Sequence, residues 1–133
     1  MTNLRGLLLG LLVASTAAGC ASTGATSSRD GRPTTAYMEE GIASWYGPEI
    51  RSGSPTASGE RYRESDYTAA HKKLPFGTRV LVENLRNGQR VIVRINDRGP
   101  YSRGRIIDLS GAAARAVRMI EAGVVPVRII VVP

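Results

Sequence analysis

Two alternating runs separated by an Asn-Gly pair constrain the fold of this chain more than any other feature. From Thr78 to Leu85, Val80 and Val82 fall on one side, with Arg79, Leu81 and Glu83 on the other. From Arg90 to Asn96, Val91, Val93 and Ile95 alternate with Arg90, Ile92, Arg94 and Asn96. Period-two alternation rich in β-branched residues marks half-buried strands. Asn87-Gly88 lies between the runs, and an Asn-Gly in that place is a strong hairpin signal. Residues 78–96 are therefore expected to form an antiparallel hairpin. Gly99-Pro100 should end it, because neither residue continues a ladder well. Asp97 shares the parity of Val91, Val93 and Ile95, which predicts a carboxylate at the rim of the core, delivered to the hairpin tip. Arg94, Asn96 and Arg98 crowd around it. On these residues alone Asp97 is either a turn cap paired with an arginine or an acid with a tuned pKa.

The remaining chain adds short elements of the same kind. Gly41 to Gly47 reads as a strand, and residues 48–61 as a loop rich in Pro, Ser and Gly that carries Glu60. Tyr67 to His71 is ambiguous between a strand and a short helix, and Leu74 to Gly77 reads as a turn. Arg105 to Leu109 is a further strand. Ser110 then caps a helix, since its hydroxyl can accept from an orphan amide. Ala113, Ala116, Val117 and Ile120 form its apolar stripe, Arg115 and Arg118 face outward, and Gly123 is the expected stop. Val125 to Val132 closes the domain as a last strand. Many short strands and one helix in a domain of this size point to a small barrel, which also removes exposed sheet edges.

The N-terminal part is built differently. Arg5 precedes an apolar run, Leu7 to Ala14, that is too short to span a bilayer as a mature helix. Ala17, Ala18, Gly19 and Cys20 follow. This resembles a bacterial lipoprotein signal, which implies a signal peptide over residues 1–19 and lipidation of Cys20. Ala17 stands where Leu is usual. Ala21 in second place implies sorting to the outer membrane, facing the periplasm. Cys20 is the single cysteine, so no intramolecular disulfide can form. Residues 20–40 are expected to be the lipidated end and a flexible linker, because residues 21–36 are small, polar and aperiodic. The folded domain is expected over 41–133.

Charge and composition exclude several classes. The formal net charge is +7, but it is spread along the chain without a basic run, and aromatics are few. A nucleic-acid arm or base-stacking surface is not expected. A basic envelope protein instead suits an anionic wall polymer or membrane surface. His71 is the single histidine, which excludes a multi-histidine metal site, and no metal or other cofactor is expected. Taken alone, His71 reads as a hydrogen-bonded structural residue and Glu60 as a solvated loop acid.

Five strings in order change those readings: GIASWYG at 41–47, TASGE at 56–60, TAAHKKLPFGTRVLV at 68–82, NDRGP at 96–100 and GRIIDLS at 104–110. Together with the lipoprotein-like start they resemble the rare lipoprotein A family of septal ring lytic transglycosylases. The resemblance implies a six-stranded double-psi β-barrel, related to expansins. It also implies non-hydrolytic cleavage between N-acetylmuramic acid and N-acetylglucosamine in glycan stripped of stem peptides, leaving a 1,6-anhydro end. The family's functional Glu, His and Asp fall on Glu60, His71 and Asp97. Many members also carry a C-terminal peptidoglycan-binding repeat; this sequence ends at Pro133, so septal targeting by that repeat is not expected of it.

Such chemistry needs a carboxylic acid for the leaving oxygen and stabilisation of an oxocarbenium-like state. The sugar's own 6-hydroxyl replaces water, so one carboxyl could act first as acid and then as base. Asp97 is assigned that role. Glu60 is expected across the groove, positioning substrate or stabilising charge, and His71 is expected to orient one of the carboxyls. Tyr46 is a candidate for stacking on sugar, Trp45 equally a core residue, and Thr56, Ser58 and Asn96 are candidate polar contacts. Expected partners are peptidoglycan strands, the membrane through Cys20, and division-site proteins. The rival reading is a wall-binding module of the expansin kind that cleaves nothing.

Overall fold

The computed structural model describes residues 36–133. The expected signal peptide, Cys20 and linker residues 21–35 lie outside the described residues. Six strands and one helix follow in order: β1 (Met38–Trp45), β2 (Thr68–His71), β3 (Arg79–Asn84), β4 (Arg90–Asp97), β5 (Arg105–Leu109), α1 (Gly111–Ala116) and β6 (Val125–Val132). The strands close into a barrel in the order β1-β5-β2-β4-β3-β6. The β1/β5 and β2/β4 pairs are parallel, and the other four are antiparallel. The expected class, a mainly β six-stranded barrel with one short helix, is what forms.

The core is filled from the inward row of each strand. Ala43, Ala69, Val80, Val82, Val93, Ile95, Ile107, Leu109, Val127 and Ile129 are all essentially inaccessible to solvent. Short inward side chains on β1 and β2 sit against longer ones on β5 and β6, which suits a narrow interior. Tyr67 to His71 resolves as strand because it lies between β4 and β5, and all four residues of β2 are buried. A segment covered on both faces loses the alternation by which a strand is recognised.

Both parallel pairs carry an irregularity. On β1/β5, Ile42 pairs with Arg105 but Ala43 with Ile107, leaving Ile106 as the extra residue. On β2/β4, Ala69 pairs with Ile95 but Ala70 with Asp97, leaving Asn96 as the extra residue. A bulge shifts side-chain parity, because two residues then oppose one. Asp97 therefore leaves the inward row of Val91, Val93 and Ile95 and stands in register with Ala70, on the face turned away from the core. This corrects the expected place of Asp97 at the rim of the core. Gly41 makes room for the first bulge: a Cβ there would lie 2.6 Å from Ile106 Cγ2.

Three further expectations are corrected. β1 begins at Met38 rather than Gly41, because Met38 to Glu40 pair with Ile130 to Arg128 of β6; that partner lies far away in sequence and leaves no local signal. The β3/β4 hairpin forms, but its loop spans residues 85–89, with Asn84 N–H donating to Gln89 O at 2.8 Å. Asp97 lies at the other end of β4 from this turn, so the hairpin does not present it at its tip. Lastly, α1 stops at Ala116, not near Gly123, and Arg118 takes a positive φ of 53°. The Val117 carbonyl, which a longer helix would use, accepts from the Asn84 and Asn87 side-chain amides at 2.9 and 3.0 Å. The turn of one hairpin thus caps the helix. Ser110 caps its start as expected, accepting from Ala113 N–H at 3.3 Å.

Candidate active site

The Asn96 bulge and the sharp end of β4 together set Asp97. Gly99 takes a φ of 116°, a conformation that favours glycine, and the chain turns out of the sheet there. Asp97 Oδ1 accepts the backbone N–H groups of Ala57 and Arg98, each at 2.9 Å. Its Oδ2 accepts the Tyr46 hydroxyl at 2.7 Å. Three segments therefore converge on one carboxyl: the end of β4, the residue after β1, and the 56–60 loop. Ser58 N–H donates to Asn96 O at 3.2 Å and holds that loop against the bulge.

Tyr46 is half-buried, with its ring edge-on to Tyr62 at 4.9 Å between centroids. Its phenol is pushed far above the ordinary range, first by burial, then by the Asp97 hydrogen bond and the charges of Asp97 and Asp108. It remains a hydroxyl donor at any working pH. Trp45 packs against the core, so the core reading holds for it.

Glu60 forms a two-pronged pair with Arg94 of β4, both contacts at 2.6 Å. The Arg94 guanidinium holds the Glu60 carboxyl below the usual carboxylate range, with a smaller contribution from Asn96. Glu60 is thus a fixed anion already matched by a cation, a better positioning group than proton donor. Thr56 and Ser58, expected as substrate contacts, spend their hydroxyls inside the loop: Thr56 Oγ1 donates to Glu60 O, and Ser58 Oγ accepts from Glu60 N–H at 3.3 Å. Asn96 is buried, and its Oδ1 has no hydrogen-bond partner among the described residues. That oxygen is closed to solvent, so Asn96 supports the loop from within and its side chain does not face a substrate strand as expected.

His71 belongs to a different cluster. Its ring is only 2% exposed, and Nδ1 accepts the backbone N–H groups of Lys73 and Leu74 at 3.0 and 3.1 Å. Two N–H donors on Nδ1 place the ring proton on Nε2, which donates to Glu39 Oε2 at 3.0 Å. Tyr37 donates to the same oxygen at 2.7 Å. Burial pushes the Glu39 carboxyl up, but these two hydrogen bonds together with nearby positive charge, Lys72 included, hold Glu39 low. Among the described residues the imidazole makes no hydrogen bond to Asp97 or Glu60, contrary to the expected orienting role. Its link to the site is indirect. The His71 and Leu74 carbonyls accept from Arg98 Nη1 at 3.3 and 2.9 Å, and the Arg98 guanidinium lies 4.0 Å over the Phe76 ring.

Sequence reasoning missed Asp108. It lies on β5 between the core residues Ile107 and Leu109, pointing to the opposite face, and Ser44 Oγ donates to its Oδ1 at 3.1 Å. Burial pushes the Asp108 carboxyl above the usual range. Ser44 and Arg105 pull it back in part, and the Asp97 charge adds to the rise. An acid flanked by Ile106, Ile107 and Leu109 is a signal of burial and could have marked it. Among the described residues no three His, Cys, Asp or Glu side chains converge to hold a metal ion.

A closed barrel of six strands, two bulged parallel pairs and carboxyl groups gathered on its outer face define a double-psi β-barrel with an acidic site. The sequence matches the lytic transglycolase family over residues 38–129, and the chain belongs to that family of double-psi β-barrels, whose curated relatives include rare lipoprotein A. The probable endolytic peptidoglycan transglycosylase RlpA of Synechocystis is 58% identical over 95 residues, covering 71% of this chain and 29% of that protein. The endolytic peptidoglycan transglycosylase RlpA of Pasteurella multocida is 55% identical over 98 residues, covering 74% and 33%. The matched region thus spans about a third of the length of these relatives. Among solved structures, the apo expansin of Clavibacter michiganensis superposes with a TM-score of 0.58 at 22% identity, over 73% of this chain and 51% of that one. At that identity it shows the shared fold alone.

Proposed function

We propose that this domain is an endolytic peptidoglycan transglycosylase. In this reading it cleaves the bond between N-acetylmuramic acid and N-acetylglucosamine in peptide-free glycan and leaves a 1,6-anhydro end. Membership of the family, and the activity for which relatives sharing more than half of the aligned residues are named, support it. The observation that carries it is the Asp97 carboxyl. It is fixed by donors from three segments at the end of a bulged strand, and it remains partly exposed. Its two oxygens both accept hydrogen bonds, which fix the carboxylate in place; in this reading it takes the proton of the sugar's 6-hydroxyl as that oxygen bonds to the anomeric carbon. Glu60, locked to Arg94, positions the strand beside it, and buried Asn96 holds the 56–60 loop through its backbone carbonyl. Thr56 and Ser58 keep the Glu60 loop in shape, and His71 shapes the 72–74 turn and, through it, Arg98.

The same proposal extends to the cell envelope. Residues 1–19 act as a signal peptide, Cys20 is lipidated, and residues 20–40 tether the barrel to the outer membrane on its periplasmic side. Partners are then glycan strands and division-site proteins, not nucleic acid. Cys20→Ala should leave the chain unprocessed or soluble; unchanged membrane fractionation would count against the anchor. The test of the activity is mass spectrometry of products from purified peptide-free glycan. Anhydro ends support lytic transglycosylation, new reducing ends would make the domain a hydrolase, and binding without products would make it an expansin-like wall module.

A further inference from the structure

Cleavage also needs an acid that protonates the leaving oxygen. Register suggests a division of labour. Ala70 of β2 pairs with Asp97 on one side and with Asp108 on the other. Residues paired in register point to the same face, so the two carboxyls flank a single methyl group. Neighbouring strands lie about 4.8 Å apart, which puts the two Cα atoms roughly 10 Å from each other. Ser44 pairs with Asp108 on the next strand, and Tyr46, two residues on, also faces this side. Ser44, Tyr46, Asp108, Ala70 and Asp97 thus form one row across four elements, and only Ala70 lacks a polar side chain.

We infer that Asp108 is the second carboxyl of this site and donates the proton to the leaving sugar oxygen, while Asp97 accepts the proton of the 6-hydroxyl. The inference rests on the lytic transglycosylase reading and assigns its acid. The two carboxyls are treated differently by their surroundings. Asp97 accepts three hydrogen bonds, two of them from backbone N–H groups. Asp108 accepts one, from Ser44, and among the described residues its Oδ2 has no partner. The groups facing Asp108 are Ser44 and Tyr46 from β1 and the residue just after it, Arg105 on its own strand, Asp97 from β4, and Tyr62 from the loop. Burial and the Asp97 charge shift the carboxyl toward its protonated form, against the pull of Ser44 and Arg105. Paired acids with divergent environments are the usual sign of separate acid and base roles.

The step balances without a co-reactant. The bond from the anomeric carbon to the leaving oxygen breaks, and that oxygen takes the Asp108 proton. The 6-oxygen forms the new bond to the anomeric carbon, and its proton passes to Asp97. No water is added, and exchange with solvent returns each carboxyl to its starting state.

The test measures anhydro-end release by the whole chain and by Asp108→Asn, alongside glycan pull-down and melting temperature. Asparagine matches the neutral acid in shape and can still accept from Ser44. Asp108→Asn should therefore melt at or above the wild-type temperature near neutral pH and still bind glycan, yet release ends about a hundredfold more slowly. A second variant, Ser44→Ala, removes a hydrogen bond that favours the charged form. The rate should fall on the alkaline side as Asp108 loses its proton, and in Ser44→Ala this limb should move to higher pH. An Asp108→Asn protein that works near the wild-type rate, or a Ser44→Ala alkaline limb that does not move, would overturn the role of Asp108. A wild-type chain that releases no anhydro ends would instead overturn the reading on which it rests.

Discussion

β4 is shared by two halves of the barrel that are built on different rules. Toward β3 and β6 the ladders run without a shift: Arg79 to Glu83 match Arg94 to Arg90, and Arg79 to Asn84 match Val132 to Val127. Toward β2 and β5 both parallel ladders are broken by an extra residue, Asn96 or Ile106. Regular pairing keeps one row of side chains in the core along a whole strand. A bulge hands the following residue to the other face. The regular half therefore stores stability, and the bulged half gathers Asp97, Asp108, Ser44 and Tyr46 on one surface. The same strand does both, changing role at Asn96.

The sharpest way to break this contrast is to damage each half separately. Ile129→Ala removes a fully buried side chain of β6 in the regular half. It should cost about 2–5 kcal/mol of stability by denaturant unfolding. Activity per folded molecule should hold, since nothing on the bulged face changes. Asp97→Asn is the reciprocal case. It keeps size and most of the hydrogen bonding but cannot accept and release a proton. Turnover should fall about a hundredfold, with glycan binding retained and melting little changed. A folded Asp97→Asn protein that still releases anhydro ends at near the wild-type rate would reduce Asp97 to a turn cap. The contrast between halves would then have no functional meaning.

The two halves also differed in what the sequence disclosed. Alternation in Arg79 to Asn84 and Arg90 to Ile95 tracks burial residue by residue, because regular antiparallel strands with one face in the core must alternate. Past Ile95 the same parity rule misplaces Asp97, since nothing local in NDRGP announces that Asn96 is an extra residue. The resemblance in five strings supplied the barrel topology and pointed to Glu60, His71 and Asp97. It could not supply Glu39, Arg94 or Asp108 as their neighbours, because those residues are brought together only when segments far apart in sequence close the barrel. The helix end was misjudged for a similar reason: its terminator is a pair of asparagines from another turn, 30 and 33 residues away.

His71 tests whether a motif residue in the bulged half must be chemical. Its Nδ1 is the acceptor for two backbone N–H groups, and its Nε2–H is held by Glu39. His71→Ala leaves those two donors unsatisfied near the base of the site, which should cost about 1–3 kcal/mol. His71→Asn places an oxygen close to where Nδ1 lies and should recover much of that loss, together with activity. Recovery of both would mark His71 as a positioning residue acting through the 72–74 turn and Arg98. A stable but inactive His71→Asn protein would instead put the imidazole into the chemistry.

The smallest expected effect concerns Glu60 and asks whether its pair with Arg94 serves the fold or the site. The pair is two-pronged, yet the side chains remain 35% and 42% exposed, so solvent screens most of the Coulomb gain. Glu60→Gln should therefore lower stability by no more than about 1 kcal/mol at neutral pH. The sign with pH follows from the lowered Glu60 pKa. A carboxyl held below its unfolded value stabilises the fold above that value, and the contribution fades as pH falls through the folded value. The melting difference between wild type and Glu60→Gln should thus be largest above the ordinary carboxylate range and close in stronger acid. It should also shrink in high salt, as an exposed pair requires. Activity separates the two readings. If the pair positions the glycan, Glu60→Gln should raise KM more than it lowers kcat, despite its small effect on stability. If KM and kcat are both unchanged, Glu60 is a loop anchor, and the site narrows to the row of Asp97 and Asp108 across Ala70.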